Sequence, residues 1–197
     1  MVMKYNEFLD AGQLGFDDLL SWSNQTLVSD APGLIPSLPA PPMLMFHRIT
    51  KIEHNKNRGR IVAEQDISLD AWYFMCHFRN DPVQPGCLGV DAVWQLLGMY
   101  CALRGAVGSG RALGCGSVEF NGQIRPHNKI VTYDVEVRRF TKIQGSSVVI
   151  GTGSVFVDGE KIYSVADAKV GVFPNIQYAD YPNPSKNSIG GILSHAN

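Results

Sequence analysis

The scarcities of this sequence narrow it first. Four cysteines, Cys76, Cys87, Cys101 and Cys115, are spread over 197 residues, and no two stand in a Cys-x-x-Cys pair. That spacing begins many zinc sites and thioredoxin-like centres, so neither chemistry has support here. Charge of one sign is also missing: 17 Lys and Arg face 18 Asp and Glu, for a formal net charge of −1. Such a balance offers no bulk attraction to nucleic acid or to an anionic membrane, and any pull on an acidic partner has to come from a local patch. No apolar run approaches the roughly 20 residues that cross a bilayer. The opening MVMKYNEFLDAGQLGFDDLL is acidic and interrupted by Gly and Asp, unlike a secretory signal. The expected setting is the cytoplasm, with reduced thiols. No internal repeat is visible. The glycine-rich GSGRALGCGS fits neither a Walker nor a dinucleotide fingerprint, which leaves strand packing as its reading.

What is present suits one globular unit. Apolar residues make up 45% of the chain and charged residues 18%, an ordinary balance for a chain with a packed core. Residues 5–22 carry an apolar stripe of Phe8, Leu9, Phe16, Leu19, Leu20 and Trp22 opposite Asp10, Asp17 and Asp18, as in one or two short amphipathic helices. SDAPGLIPSLPAPP then holds five prolines, which lack an N–H and fix φ, so this is an extended connector. MLMFHRITKIEHN and RGRIVAEQDIS read as a strand pair around Asn55, Asn57 and Gly59. After an irregular aromatic stretch, CLGVDAVWQLLGMYCALRG is too long for a strand and apolar on nearly every side. It is expected to be a buried helix, opened by Pro85-Gly86 and closed by Gly105. ALGCGSVEFNGQI reads as a strand broken at Gly122, and KIVTYDVEVRRF as one with Val131, Tyr133, Val135 and Val137 on a single face. SSVVIGTGSVFVD and EKIYSVADAKVGVF form a hairpin at Asp158-Gly159. The tail, residues 174–197, is rich in Asn, Pro, Ser and Gly and is expected to be flexible. One helix followed by long antiparallel strands suggests a curved sheet wrapped around that helix.

Three features could carry chemistry. His77 lies among Trp72, Tyr73, Phe74 and Phe78, where apolar walls would keep an imidazole neutral and able to accept a proton. An isolated His is more often tied to a backbone carbonyl. Asp91, about one turn into an apolar helix, is costly to bury unless paired. It is either a helix-start carboxylate favoured by the macrodipole or an acid with a raised pKa. Gln95, one turn further on, could orient it in both cases. Pro85-Gly86 leaves unpaired N–H groups at the helix start, which could stabilise a carbonyl oxygen as it gains charge. Together these parts allow removal of a proton beside a thioester carbonyl and loss of a hydroxyl two carbons away. Cys76 and Cys87 flank His77 but lack a base at nucleophile spacing and read as small buried apolar residues; His54, His127 and His195 read as solvated.

WYFMCHFRNDPVQPGCLGVDAVWQLLGMY closely resembles the core motif of the bifunctional 3-hydroxydecanoyl-acyl carrier protein dehydratase/isomerase family of bacterial fatty acid synthesis. LPAPPMLMFHRI, GRALGCGSVEFNGQI, KIVTY and VFVDGEKIYSVADAKVGVF extend the resemblance over roughly residues 36–173. It implies a hot-dog fold over residues 1–173, with residues 1–42 as a helical, Pro-rich lead-in. It also implies a homodimer with active sites at the subunit interface, and no metal or organic cofactor. His77 and Asp91 match the catalytic pair, Asp91 coming from the other subunit. Gly86 matches the residue whose N–H polarises the thioester carbonyl, and Val83 the one whose carbonyl orients the imidazole. The related dehydratase-only family usually carries Glu at the position of Asp91, so the Asp leans toward the bifunctional type, which moves a trans-2 double bond to cis-3.

Departures stand beside the matches. His47 replaces an Asp, Gln84 an apolar residue, and Arg79-Asn80 an apolar-Gly pair; the connection FTKIQGSS looks longer than usual. DPVQPG also resembles the dehydratase domains of polyunsaturated-fatty-acid synthases. These features bear on chain length, isomerisation and pathway. Two other functions stay open, a hot-dog thioesterase and a non-catalytic acyl-binding subunit. Arg138, Arg139 and Lys142 form a small basic cluster, usually just a solvated face, that could steer acidic acyl carrier protein.

Overall fold

The computed structural model describes residues 2–177 and 188–190. Two short helices open the chain, α1 (Tyr5–Leu9) and α2 (Phe16–Ser23). Their buried faces meet where Phe8 packs edge-on against Trp22, ring centroids 4.8 Å apart. The Trp22 indole donates to Pro36 O at 2.8 Å, which pins the proline-rich connector to the helices. Phe16, counted in the apolar stripe, is exposed.

The rest is one long helix and a curved sheet. The strands are β1 (Arg48–Asn55), β2 (Arg58–Asp66), β3 (Ser109–Gly114), β4 (Ser117–Phe120), β5 (Ile130–Ile143), β6 (Ser146–Val157) and β7 (Glu160–Phe173). They pair antiparallel in the order β1-β2-β5-β6-β7-β3, with β4 also on β7. Helix α3 (Gly86–Leu103) lies against the sheet. Buried residues occur all round α3, from Leu88 and Val93 to Leu97 and Tyr100, as its all-apolar sequence requires. Among the described residues it is one helix long and apolar enough to cross a membrane by composition, and here it fills the core. Close approach depends on the absence of a side chain on β6, since a Cβ at Gly153 would meet Val93 Cγ2 at 2.6 Å. Gly105 takes φ +74° just past the helix end, the left-handed conformation that closes it. This is the hot-dog arrangement.

Strand β5 points Val131, Tyr133, Val135 and Val137 inward, each fully buried. Asp158 (φ +50°) and Gly159 (φ +90°) form the two-residue β6–β7 turn, whose left-handed pair matches strand twist.

Several expectations need correction. The strand read from residues 112–124 breaks at Cys115-Gly116, not at Gly122. The cause lies on its partner: β3 pairs with β7 from Lys169 onward and β4 only up to Ala166. Between them Asp167 sits at φ +50°, and β6 shifts register at the same level, so β7 bulges there. The β5–β6 connection is a tight turn at Gln144 and Gly145, and the extra length of FTKIQGSS went into the strands. Cys76 and Cys87 are exposed rather than buried, because one follows a surface 3-10 turn (Trp72–Met75) and the other lies in the first turn of α3. In the tail, Ile176 and Ser188 are buried, and β8 (Ile176–Gln177) pairs with β9 (Ile189–Gly190). The remainder of the tail, with His195, lies outside the described residues.

Candidate active site

His77 sits in the loop between β2 and α3, and backbone bonds shape that loop. The His77 amide donates to Tyr73 O at 2.8 Å, the Val83 amide donates to His77 O at 2.8 Å, and Phe78 and Asp81 exchange both their bonds. Arg125 holds the far side through an ion pair with Asp81 and a 3.1 Å bond to Pro82 O. The imidazole Nδ1 lies 3.0 Å from Val83 O. With the proton on Nδ1 donated to that carbonyl, Nε2 is left as the free base. Of the four aromatics around it, Tyr73 and Phe74 turn into the core, while Trp72 and Phe78 stay exposed. The Phe78 ring lies 4.0 Å from that of His77, centroid to centroid.

Val83 leads through Gln84 and Pro85 into the N-terminus of α3, so the imidazole and the Gly86 amide share one cavity of about 210 Å³. Its other walls include Phe120, Ile124 and Tyr163. A Cβ at position 86 would come within 2.5 Å of the Phe120 ring, so a larger residue there would have to displace that exposed side chain. The helix start directs unpaired amides and a partial positive charge toward an oxygen placed there.

Asp91 lies one and a half turns along α3 and lines a different cavity, about 240 Å³, with Trp94, Gln95, Arg111 and the connector at Pro36–Pro39. Gln95 Nε2 donates to Asp91 Oδ2 at 2.6 Å and to Met43 O at 2.7 Å, while its Oε1 accepts from the Met45 amide at 3.2 Å. The carboxylate is therefore held by a side chain that is itself held by the strand approach to β1. Within one chain His77 and Asp91 are not brought together.

Behind the His77 cavity runs a buried polar chain. Gln65 Nε2 donates to the Tyr73 hydroxyl at 3.0 Å, and Gln65 Oε1 accepts from the Tyr133 hydroxyl at 2.8 Å. Gln84 Nε2 makes a longer bond to the same Oε1, 3.4 Å. Burial pushes the Tyr73 phenol up to about 12 and raises those of Tyr133 and Tyr163 as well, so all three keep their protons. Two atoms at this end have no partner among the described residues: Gln84 Oε1 and the Tyr163 hydroxyl. An orphaned buried polar group costs about 1–3 kcal/mol. Tyr163 was invisible as a site residue in the sequence, where it is one more inward position of a strand. Gln84 stood out only as a departure.

The basic cluster does not converge. Arg138 is paired with Asp167 at the β7 bulge, Arg139 Nε donates to Thr141 Oγ1 at 3.3 Å, and Lys142 Nζ donates to Gly105 O at 3.3 Å. At the displaced motif position, His47 Nδ1 accepts from the Asp66 amide at 2.9 Å, and burial lowers its pKa. Among the described residues no group of three or more His, Cys, Asp or Glu could hold a metal ion.

A family model for the FabA-like domain matches residues 38–166, about two thirds of the sequence, from the connector into β7. The chain belongs to the FabA-like domain family. The lining of the His77 cavity, and Asp91 with Gln95, lie inside the matched FabA-like region, whereas Pro36, Ser37 and Val170 of the Asp91 cavity lie just outside it. Solved structures agree with the fold. A dehydratase heterocomplex, ApeI:P from Xenorhabdus doucetiae, superposes with a TM-score of 0.51 at 12% identity, covering 89% of this chain and 94% of that one. The (R)-hydratase of A. caviae involved in PHA biosynthesis gives 0.43 at 16% identity, covering 59% of this chain and 96% of that one. The E. coli PaaI protein from the phenylacetic acid degradation operon gives 0.43 at 11%, covering 62% and 82%. At 12% identity the likeness to the heterocomplex speaks to fold alone.

Proposed function

We propose that this protein is a hydro-lyase that dehydrates a 3-hydroxyacyl thioester carried on acyl carrier protein. One observation carries the reading: an imidazole oriented through Nδ1 by Val83 O opens onto the same cavity as the N-terminus of α3 at Gly86. The thioester carbonyl accepts from the Gly86 amide, which stabilises charge building on its oxygen. His77 Nε2 takes the C2 proton. The C2–H electrons form the C2=C3 bond as the C3–O bond breaks, and Asp91 of a partner subunit delivers a proton to the departing hydroxyl, which leaves as water. Asp91 comes from a second copy in this mechanism because the chain's own Asp91 faces a different cavity. A homodimer with two shared sites follows. The exposed apolar residues Leu69, Trp72, Met75, Phe78, Leu113 and Phe120, on the His77 loop and the β3–β4 edge, suit such an interface.

Trans-2 to cis-3 isomerisation is part of the proposal through Asp91, and the site asks for no cofactor. Incubation with a 3-hydroxyacyl carrier-protein substrate, followed by mass, tests the reading. Loss of water supports it; loss of the acyl group makes the protein a thioesterase; an unchanged acyl carrier protein makes it an acyl-binding subunit.

A further inference from the structure

Helix α3 turns a single face to the Asp91 cavity. Between Leu88 and Leu103 the half-buried positions are Asp91, Trp94, Gln95 and Gly98, and every other position is buried. Their spacing of three, four and seven from Asp91 makes one stripe along the helix. All four line the cavity of about 240 Å³ beneath the connector. Polar groups stand at its start, where Gln95 holds Asp91. Trp94 spends its N–H on Gly114 O at 3.2 Å, and Leu38 supplies apolar wall from the connector. The stripe ends at Gly98. A Cβ there would meet its nearest atom beyond the helix backbone, Val170 Cγ1, at 3.9 Å, an ordinary contact. At Gly110 on β3, which lines the same cavity, a Cβ would meet nothing within 4 Å. Neither glycine takes a positive φ.

A glycine inside a helix weakens it relative to alanine, because glycine loses more freedom on folding. At position 98 neither backbone geometry nor crowding within the chain requires one. What the glycine leaves is space in the cavity. We infer that the acyl chain beyond C3 lies along this stripe, in the subunit that supplies Asp91, and that Gly98 sets how long a chain fits. The inference rests on the proposed dimer, in which Asp91 meets the C3 hydroxyl. From Asp91 to Gly98 the helix rises about 10 Å. C–C bonds of about 1.5 Å advance an extended chain by about 1.3 Å each. A decanoyl group carries seven carbons beyond C3 and so reaches Gly98. A hexanoyl group carries three and stops about one helical turn short.

The probes are two pantetheine amides, hexanoyl and decanoyl, which cannot lose water. Titration calorimetry on the full-length protein should show the decanoyl amide bound about tenfold tighter or more, since its further methylenes leave water for apolar walls. Gly98→Leu puts a side chain where the acyl chain would end, and should bring the ratio to about one. Gly98→Ala fits without displacing a neighbour, so it stays informative if the Leu variant does not fold. It should lower the ratio by less and raise Tm by about 1–4 °C. A glycine kept for structure alone would not couple gained stability to lost preference. A ratio unmoved by Gly98→Leu, equal weakening of both amides, or binding of neither overturns the inference. So does a Tm lowered by Gly98→Ala, the glycine then making room for packing by the second copy. Mass analysis with 3-hydroxyhexanoyl and 3-hydroxydecanoyl carrier-protein thioesters separates this inference from the dehydration itself. A length preference that follows Gly98, without loss of water, leaves the pocket assignment standing and removes the dehydratase. Loss of water with a length preference indifferent to Gly98→Leu does the reverse.

Discussion

At the scale of single residues the site is a matter of what holds what. His77 is oriented by a main-chain carbonyl, a bond that survives most side-chain changes nearby. His77→Ala should therefore leave the fold intact, read by circular dichroism, while dehydration falls by about 10²–10⁴-fold or more. Near-normal turnover by a folded His77→Ala protein would falsify the mechanism. Gln95 is the opposite case, a side chain that ties together Asp91, Met43 O and the Met45 amide. Gln95→Leu strands all three. The expected loss is about 1–3 kcal/mol of stability, seen as a Tm drop of about 2–4 °C per kcal/mol in a chain of this size. Gln95→Glu keeps the acceptor for Met45 N but cannot donate to Asp91 or Met43 O and sets two carboxylates together, so it should not recover the loss. The sequence made Asp91 and Gln95 neighbours through their four-residue spacing. Their link to Met43 and Met45 was not readable, since those residues are about fifty positions away and meet α3 only in the fold.

Among elements, turns were more legible than strand irregularities. Asp158-Gly159 announces its hairpin because left-handed φ at two successive positions favours that pair of residue types. The bulge at Asp167 announces nothing, as it lies in an alternating strand and its cause is the meeting of β3, β4 and β6 on one strand. Asp158 also has a second task. Its carboxylate accepts from the Ile130 and Lys129 amides and from Asn128, fastening the start of β5 to the hairpin. These bonds, the Ile130 amide foremost, hold its pKa below the usual carboxylate range. A depressed folded pKa adds stability above the unfolded value of about 3.9, and that stability is lost as pH falls through the lower folded value. Asp158→Asn keeps the turn preference and removes the charge. Its Tm should sit below the wild type at pH 7, with the gap closing below about pH 4; a gap constant with pH would mean the charge is irrelevant.

For the whole molecule, the separation of His77 and Asp91 into two cavities makes the subunit arrangement testable. Inactive His77→Ala and Asp91→Asn proteins, mixed and allowed to exchange subunits, should regain part of the activity, because a heterodimer then holds one intact site. Absence of recovery, with heterodimers verified by native mass, means each site uses one chain only. The proposed carrier-protein partner can be probed at Arg138 and Arg139, which are exposed at the β5 bulge although Arg138 is paired with Asp167. Reversing both to Glu should raise KM for the carrier-protein substrate and flatten its salt dependence, since exposed charges act mainly on association and are screened over about 8 Å. Turnover of a short pantetheine thioester should hardly change. Equal loss on both substrates would make the arginines part of the fold.

The sequence by itself determined the elements and the local parts of the site. Periodicity marked α3 and β5, Pro85-Gly86 marked the helix entry, and the run from His77 to Asp91 placed an imidazole, a helix N-terminus and a carboxylate within fifteen residues. Those features are encoded in contacts between near neighbours, which residue type and spacing govern directly. Only the tertiary structure decided that His77 and Asp91 of one chain line different cavities. It alone decided that Cys76 and Cys87 lie outside the core, and that Gln84 and Tyr163, nearly eighty positions apart, each bury a polar atom that has no partner among the described residues. The physical reason is that burial and pairing are properties of the packed surroundings. A glutamine or tyrosine looks the same in the sequence whether its polar end meets water, a partner or an empty cavity.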